Sequence, residues 1–167
     1  ILGAFCSAAT PTVWAEASQN NEIGLPLTVC RLEPDTAVLV TEMGMRGLGQ
    51  IAALCEIARP DVAVVTSIGP EHLELVGTVE RVAEANAEAI AALPAGGIAV
   101  VPADVTELEP HLRRTDIEIR RFDRSQVDGA GNDWRFLVGG RDVRLRLPFT
   151  ARHMAENTLA ALSAYDA

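Results

Sequence analysis

Three runs of branched apolar residues set the pattern of the first two thirds of the chain. They are TAVLVTEM (36–43), DVAVVTSI (61–68) and GIAVVPAD (97–104), and each is nearly continuous rather than alternating. Continuous runs of this length are typical of strands that are covered on both faces. The segments between them, GLGQIAALCEIARP and TVERVAEANAEAIAALP, have helical spacing and each stops at a proline. The order predicts an α/β fold with a mostly parallel sheet and helices on both faces.

After residue 104 the pattern changes to shorter, alternating segments separated by glycine-rich turns. IEIRRFD, DWRFLVGG and RDVRLRLPF predict a few antiparallel strands, at the edge of the sheet or in a small second sheet. VTELEPHLRR predicts a short helix and RHMAENTLAALSAYDA a longer one, while TPTVWAE is a further strand candidate. The whole length of 167 residues suits one compact domain, or most of one.

Composition narrows the classes of function. A net charge of −9 argues against a nucleic-acid partner and against an anionic membrane surface. The arginines of residues 113–124 alternate with carboxylates, which predicts a solvated face. Cys6, Cys30 and Cys55 are scattered among apolar residues without a metal-binding spacing, which indicates reduced thiols in a cytoplasmic protein. The apolar start, ILGAFCSAA, is too short to span a bilayer, so no membrane insertion is expected.

Polar clusters follow the predicted strands, where an open parallel sheet binds its ligands. Glu42 follows the first strand and offers hard oxygen ligands to a divalent cation. Capping of the next helix and an ion pair with Arg46 explain the same carboxylate equally well. His72, in the turn TSIGPEHLE, is predicted from the pattern alone to be structural, because imidazole is not the preferred ligand of Mg²⁺.

The helix of residues 78–93 contains one polar residue on its inward stripe. That residue is Asn86, and a buried amide requires backbone, water or a binding site as its partner. On another face Glu80, Glu84 and Glu88 recur every four residues, which predicts an ordinary solvated face.

Several of these segments together resemble the central ATPase domain of the Mur ligases. The turn EMGMRG, the turn IGPEHL and the helix segment HMAENTLAA stand in the family's order and spacing, and SQNNEIGLPLTVCRL and LPFTARHMAENTLAAL are similar too. The resemblance covers almost the whole chain. It implies a P-loop NTPase-like fold and a cytoplasmic, ATP-dependent amide ligase of peptidoglycan synthesis.

In such ligases the γ-phosphate of ATP passes to a carboxylate, and an amine then attacks the acyl phosphate. The implied cofactors are ATP and Mg²⁺. The implied substrates are a UDP-N-acetylmuramoyl-tripeptide and D-alanyl-D-alanine. The resemblance makes Glu42 and His72 metal ligands, which changes the interpretation of His72. It further implies that two residues of the last helix bind the nucleotide and that three residues of an early loop face the peptide substrate: Asn157 and His153, and Asn20, Asn21 and Gly24.

Two departures from the family pattern stand out. The chain contains no glycine-rich phosphate loop ending in Gly-Lys-Thr or Gly-Lys-Ser, so we expect a middle domain truncated at its start, without its N- and C-terminal Mur domains and inactive alone. The segment that carries a carbamylated lysine in the family is ANAE here, which places Asn86 at that position.

These departures favour one alternative, a non-catalytic binding or scaffold module derived from a Mur ligase. A second alternative is another ligase of the superfamily, such as a folylpolyglutamate synthase. The segment NNEIGLPLT speaks against the second.

Overall fold

The computed structural model describes residues 1–69 and 77–167. Within these residues the chain forms five α-helices, namely α1 (Leu2–Ser7), α2 (Gly24–Val29), α3 (Gln50–Ala58), α4 (Val79–Ala91) and α5 (Arg152–Tyr165). Two 3-10 helices cover Thr106–His111 and Arg124–Gln126. The strands are β1 (Thr12–Trp14), β2 (Val38–Val40), β3 (Val62–Val64), β4 (Ile98–Pro102), β5 (Glu118–Phe122), β6 (Val127–Ala130), β7 (Asp133–Val138) and β8 (Arg141–Arg146).

The strands of the first part of the chain pair in parallel, as the sequence predicts. β1 pairs with β2, and β3, β4 and β5 form a second parallel sheet in that order. The strand candidate TPTVWAE is β1. β2 and β3 are shorter than the apolar runs that contain them, with three residues each.

The prediction of an antiparallel strand in IEIRRFD is wrong. This segment is β5, and it runs parallel to β4 with Val100 opposite Arg120. The 3-10 helix Thr106–His111 carries the chain back to the start of the sheet, so no hairpin forms between β4 and β5. In the described residues β5 pairs with β4 on one side and has no partner strand on the other. Its arginines reach carboxylates, Arg120 to Glu118 and Arg121 to Glu109, which accounts for the alternation of the segment.

Both faces of the central strand β4 are covered. Ile98 and Val100 pack into an apolar cluster with α5, whereas Ala99 and Val101 pack into a second cluster with α4. Helices α4 and α5 therefore lie on opposite faces of this sheet, which confirms the layered α/β prediction.

An antiparallel sheet of β6, β7 and β8 follows near the C-terminal end. β7 shows the expected alternation, with Trp134, Phe136 and Val138 buried and the residues between them exposed. These three residues belong to the same apolar cluster as Val100 and α5. The antiparallel sheet therefore shares its core with the β3–β5 sheet instead of forming a separate unit.

Helix α4 buries two adjoining faces. Ala83, Ala87 and Ile90 pack toward β3 and β4, and Val82 and Ala85 pack toward α3 and the turn that precedes it. At its start, the side chain of Thr78 accepts a hydrogen bond from the backbone N–H of Arg81 at 3.3 Å. The helix thus connects the sheet to the residues that follow β2.

In the described part of the chain, no helix combines the length and the apolar character that crossing a bilayer requires.

Candidate functional site

Glu42 lies two residues beyond the end of β2 and is exposed. Its carboxylate accepts a hydrogen bond from the side-chain amide of Asn20, with 2.8 Å between Nδ2 and Oε1. The backbone N–H of Gly44 donates to the carbonyl oxygen of Asn20, also at 2.8 Å. In the described residues Glu42 makes no ion pair with Arg46, and it does not cap α3. Asn20 therefore holds both the turn after β2 and the orientation of the Glu42 carboxylate.

The turn EMGMRG needs a glycine at its third position. A Cβ atom on Gly44 would stand 3.1 Å from Nδ2 and 3.2 Å from Cγ of Asn20. Such contacts are tighter than most side-chain packing, so the Asn20 amide that holds Glu42 would have to shift by a few tenths of an ångström. The glycine of this motif is thus explained by the close approach of the loop that contains Asn20.

Asn21 and Gly24 shape that loop from within. The side-chain oxygen of Asn21 accepts hydrogen bonds from the backbone N–H groups of Ile23 (3.1 Å) and Gly24 (2.9 Å) at the start of α2. Gly24 is buried against Gln19, where an added Cβ would approach the Gln19 Cα to 2.5 Å. The predicted substrate loop is therefore a tightly built turn beside Glu42.

A hollow of about 230 Å³ opens between this loop and the turn after β2. Across it, the side chain of Gln50 accepts a hydrogen bond from the backbone N–H of Arg46 at 2.6 Å. The hollow is lined by Asn20, Asn21, Glu22, Gly44, Met45, Arg46 and Gln50. A larger depression of about 930 Å³ lies between α3 and α4, and its described lining shares no residue with the first. The smaller hollow coincides with the motif residues, so we assign the candidate site to it.

Glu88 corrects the prediction of a solvated glutamate face on α4. Glu80 and Glu84 are exposed as expected, but Glu88 is half-buried. Its two carboxylate oxygens accept hydrogen bonds from the backbone N–H groups of Gly49 (2.5 Å) and Ala52 (2.9 Å). Glu88 therefore caps the N-terminus of α3 from another helix. The signal in the sequence is the start of α3, GLGQ, which contains none of the usual N-cap side chains.

The amide of Asn86 has a partner in its own helix. Its Nδ2 donates to the carbonyl oxygen of Val82, one turn earlier, at 2.8 Å. This bond satisfies the half-buried donor, as a polar residue on an inward stripe requires. Its neighbours Val82 and Ala85 pack in a cluster that includes Met45, from the turn after β2. Asn86 thus lies on the helix that packs against the turn carrying Glu42.

Cys55 is a buried thiol next to this cap, with its Sγ 3.5 Å from the Sδ of Met43. Burial, and to a smaller extent the negative charge of Glu88, raise the pKa of Cys55 from 9.0 to about 11. A raised pKa means that folding favours the neutral thiol. The stabilisation is complete below about pH 9 and is lost as the pH rises toward about 11.

We therefore expect the unfolding free energy of the wild-type protein to fall by about 2–3 kcal/mol between about pH 8 and pH 11. In Cys55→Ala we expect a smaller fall over the same pH range. The chain contains no lysine, so lysine titration does not interfere. Urea unfolding at the two pH values measures the difference. An equal loss of unfolding free energy in both proteins would contradict the assignment to Cys55.

The remaining predicted residues are less closely grouped. His153 is exposed and Asn157 half-buried on α5, on the opposite face of β4 from α4. His72 lies outside the described residues. In residues 1–69 and 77–167 no three His, Cys, Asp or Glu side chains are grouped closely enough to hold a metal ion. The structure thus brings together Asn20, Asn21 and Glu42.

Sequence comparison identifies the family to which the chain belongs. The family model described as the Mur ligase middle domain matches residues 2–165. The chain belongs to the Mur ligase family. Its resemblance to a UDP-N-acetylmuramoyl-tripeptide–D-alanyl-D-alanine ligase of Synechocystis amounts to 34% identity over 150 residues. That alignment covers 88% of this Mur ligase domain and 33% of the relative, so the chain spans about a third of the relative's length.

Solved structures show the same fold. The MurF crystal structure from Acinetobacter baumannii superposes with a TM-score of 0.87 at 24% identity, over 99% of this chain and 39% of that one. The MurF ligase from Thermotoga maritima, solved in complex with ADP, gives a TM-score of 0.80 at 27% identity. That superposition covers 96% of this chain and 40% of the other. The Mur ligase middle-domain fold is therefore present along nearly the whole chain.

Proposed function

We propose that this chain is the ATP-binding middle domain of a ligase that adds D-alanyl-D-alanine to a UDP-N-acetylmuramoyl-tripeptide in the cytoplasm. The name of the Synechocystis relative supports this substrate pair. The observation that carries the proposal is the Glu42 carboxylate, held by Asn20 at the carboxyl end of a parallel strand. Open α/β sheets bind their ligands at such strand ends. The N- and C-terminal Mur domains of a full-length ligase complete the enzyme.

Glu42 is the described residue best suited to hold Mg²⁺. It is exposed, it offers hard oxygen, and only one of its oxygens is oriented by Asn20. We propose His72 as the second ligand. Because Asn86 commits its Nδ2 to Val82, it can present only a neutral carbonyl oxygen to the site. Bound Mg²⁺ supplies positive charge that stabilises phosphoryl transfer.

The residues of this chain then divide into two groups. Asn157 and His153 on α5 contact the nucleotide, and the presence of ADP in the T. maritima relative supports nucleotide binding. Asn20, Asn21 and Gly24 face the tripeptide substrate. In the reaction, a substrate carboxylate oxygen forms a bond to the γ-phosphorus of ATP and ADP leaves. The amine of D-alanyl-D-alanine then attacks the acyl carbon and releases phosphate.

The proposal is tested with a full-length ligase that contains this domain. We expect ATP-dependent formation of the UDP-N-acetylmuramoyl-pentapeptide, with one phosphate released per peptide bond. Omission of D-alanyl-D-alanine is the matched control. Nucleotide binding without product would instead establish the scaffold alternative. Product from a folate and glutamate, but not from D-alanyl-D-alanine, would establish a folylpolyglutamate synthase.

Asn86→Lys in the full-length ligase is expected to raise ligation by about tenfold in the presence of bicarbonate, equivalent to ~1.4 kcal/mol of barrier. A lysine can form a carbamate and place a negative oxygen where the asparagine offers a neutral one. Ligation rates with and without bicarbonate measure the effect.

Asn86→Gln is the matched control, because it lengthens the side chain without permitting a carbamate. An unchanged rate for Asn86→Lys with bicarbonate present would show that Asn86 does not weaken the metal site.

A further inference from the structure

Glu88 links helix α4 to the turn that carries Glu42. The bond from Gly49 reaches across 39 positions of sequence and the bond from Ala52 across 36. Both acceptors belong to one half-buried carboxylate. The contact therefore joins the end of the turn after β2 to a helix that is anchored on the sheet.

In the described residues, α3 has no side-chain cap at its own N-cap position. Gly49, the N-cap residue of α3, has a left-handed backbone (φ 84°) and makes no side-chain cap. The first N–H groups of a helix need acceptors, and they carry partial positive charge that favours a carboxylate. Glu88 meets both needs, because each of its oxygens accepts one N–H.

The other hydrogen bonds of the turn do not hold its α3 end independently of Glu88. Gly44 is tied to the carbonyl of Asn20, and Arg46 to the side chain of Gln50, which is itself the first residue of α3. The hydrogen bond between Arg46 and Gln50 can be kept only if the first turn of α3 stays in position. Loss of the Glu88 cap would thus loosen the segment between Arg46 and Gln50, and through it the position of Glu42.

The placement of Glu88 on α4 relates it to Asn86. At 100° per residue, Asn86 lies between the two buried faces of α4, and Glu88 lies on the outer flank of the face that contacts α3. The same helix thus presents the altered lysine position on one side and secures the turn of Glu42 on the other.

We propose that Glu88 is a positioning residue of the ligase site, which holds the α3 end of the turn after β2 and, together with Asn20, maintains the metal-binding geometry of Glu42. This inference rests on the proposed function. Removal of a group that orients a metal ligand typically weakens metal affinity by 10- to 100-fold.

The test compares Glu88→Ala and Glu88→Gln with Glu84→Ala, a control at an exposed glutamate of the same helix, all in the full-length ligase. One measurement is the Mg²⁺ concentration for half-maximal ligation at saturating substrates. The other is amide hydrogen exchange of residues 42–52 without nucleotide. For Glu88→Ala we expect at least a tenfold increase in the half-maximal Mg²⁺ concentration and in the exchange rate of residues 42–52. For Glu84→Ala we expect wild-type values of both.

Glu88→Gln keeps one acceptor oxygen but points an NH₂ group at a backbone donor, so we expect an intermediate effect. It also carries the test if Glu88→Ala does not fold. A lower thermal midpoint with an unchanged Mg²⁺ requirement or unchanged exchange would overturn the proposal, because Glu88 would then be structural only. A wild-type ligase without ligation activity would refute the proposed function, whereas the exchange measurement would still decide whether Glu88 holds the turn.

Discussion

Glu42→Gln in a full-length ligase is expected to lower ligation by roughly 100-fold or more, the scale seen when one group that stabilises transition-state charge is lost. Glutamine has nearly the shape of glutamate, and its amide oxygen can keep the bond from Asn20 Nδ2. The substitution therefore removes the negative charge and leaves the turn in place. A neutral oxygen is a much weaker ligand for Mg²⁺ than a carboxylate.

The measurement is initial ligation rate over a range of Mg²⁺ concentrations. Glu33→Gln is the matched control, since it removes an exposed carboxylate shortly before β2 and outside the candidate site. We expect wild-type activity from this control. Near-normal ligation by Glu42→Gln at low Mg²⁺ would rule out Glu42 as a metal ligand.

Phe136→Ala is expected to destabilise the fold by about 3–5 kcal/mol, the range for large-to-small changes of aromatic core residues. Phe136 is 0% exposed and belongs to the cluster that joins β7, β4 and α5. The substitution removes apolar area and leaves a cavity between three elements. Because two sheets share this cluster, the cavity cannot be closed by a shift of one strand.

Urea unfolding compares this variant with Leu137→Ala on the same strand. Leu137 is 45% exposed, so its replacement should change the unfolding free energy by no more than about 0.5 kcal/mol. Similar losses in the two variants would show that the β7 face is not packed as described.

The parallel sheet could be predicted from the sequence because its strands are covered on both faces. Continuous apolar runs such as IAVVP leave little choice of environment. The pattern of β5 predicts an antiparallel strand because a strand with one paired edge and arginines among its residues has the same alternation as a half-solvated hairpin. The local pattern predicts which face of a strand is buried. The direction of the strand in the sheet depends on the segment that connects it to its neighbour.

The candidate site depends on contacts that spacing does not encode. Asn20 and Glu42 are 22 residues apart, and neither segment contains a signal for the other. The resemblance to the Mur ligases supplies the predicted roles of both. The spacing of Glu88 with Glu80 and Glu84 predicts a solvated side chain, whereas its partners are backbone groups of another helix. The sequence signal for this contact is the start of α3, which lacks a local N-cap side chain.

Helix α5 has a consequence for how the chain is made. It covers the Val100 side of the parallel sheet and the inner side of the antiparallel sheet, and it follows the strands of both sheets along the chain, so it leaves the ribosome after them. Until it is complete, Val100, Trp134 and Phe136 lack their partner and remain open to other chains. Transiently exposed apolar surface of this kind promotes aggregation during synthesis. Expression at low temperature, or with a chaperone present, should therefore improve the yield of folded protein.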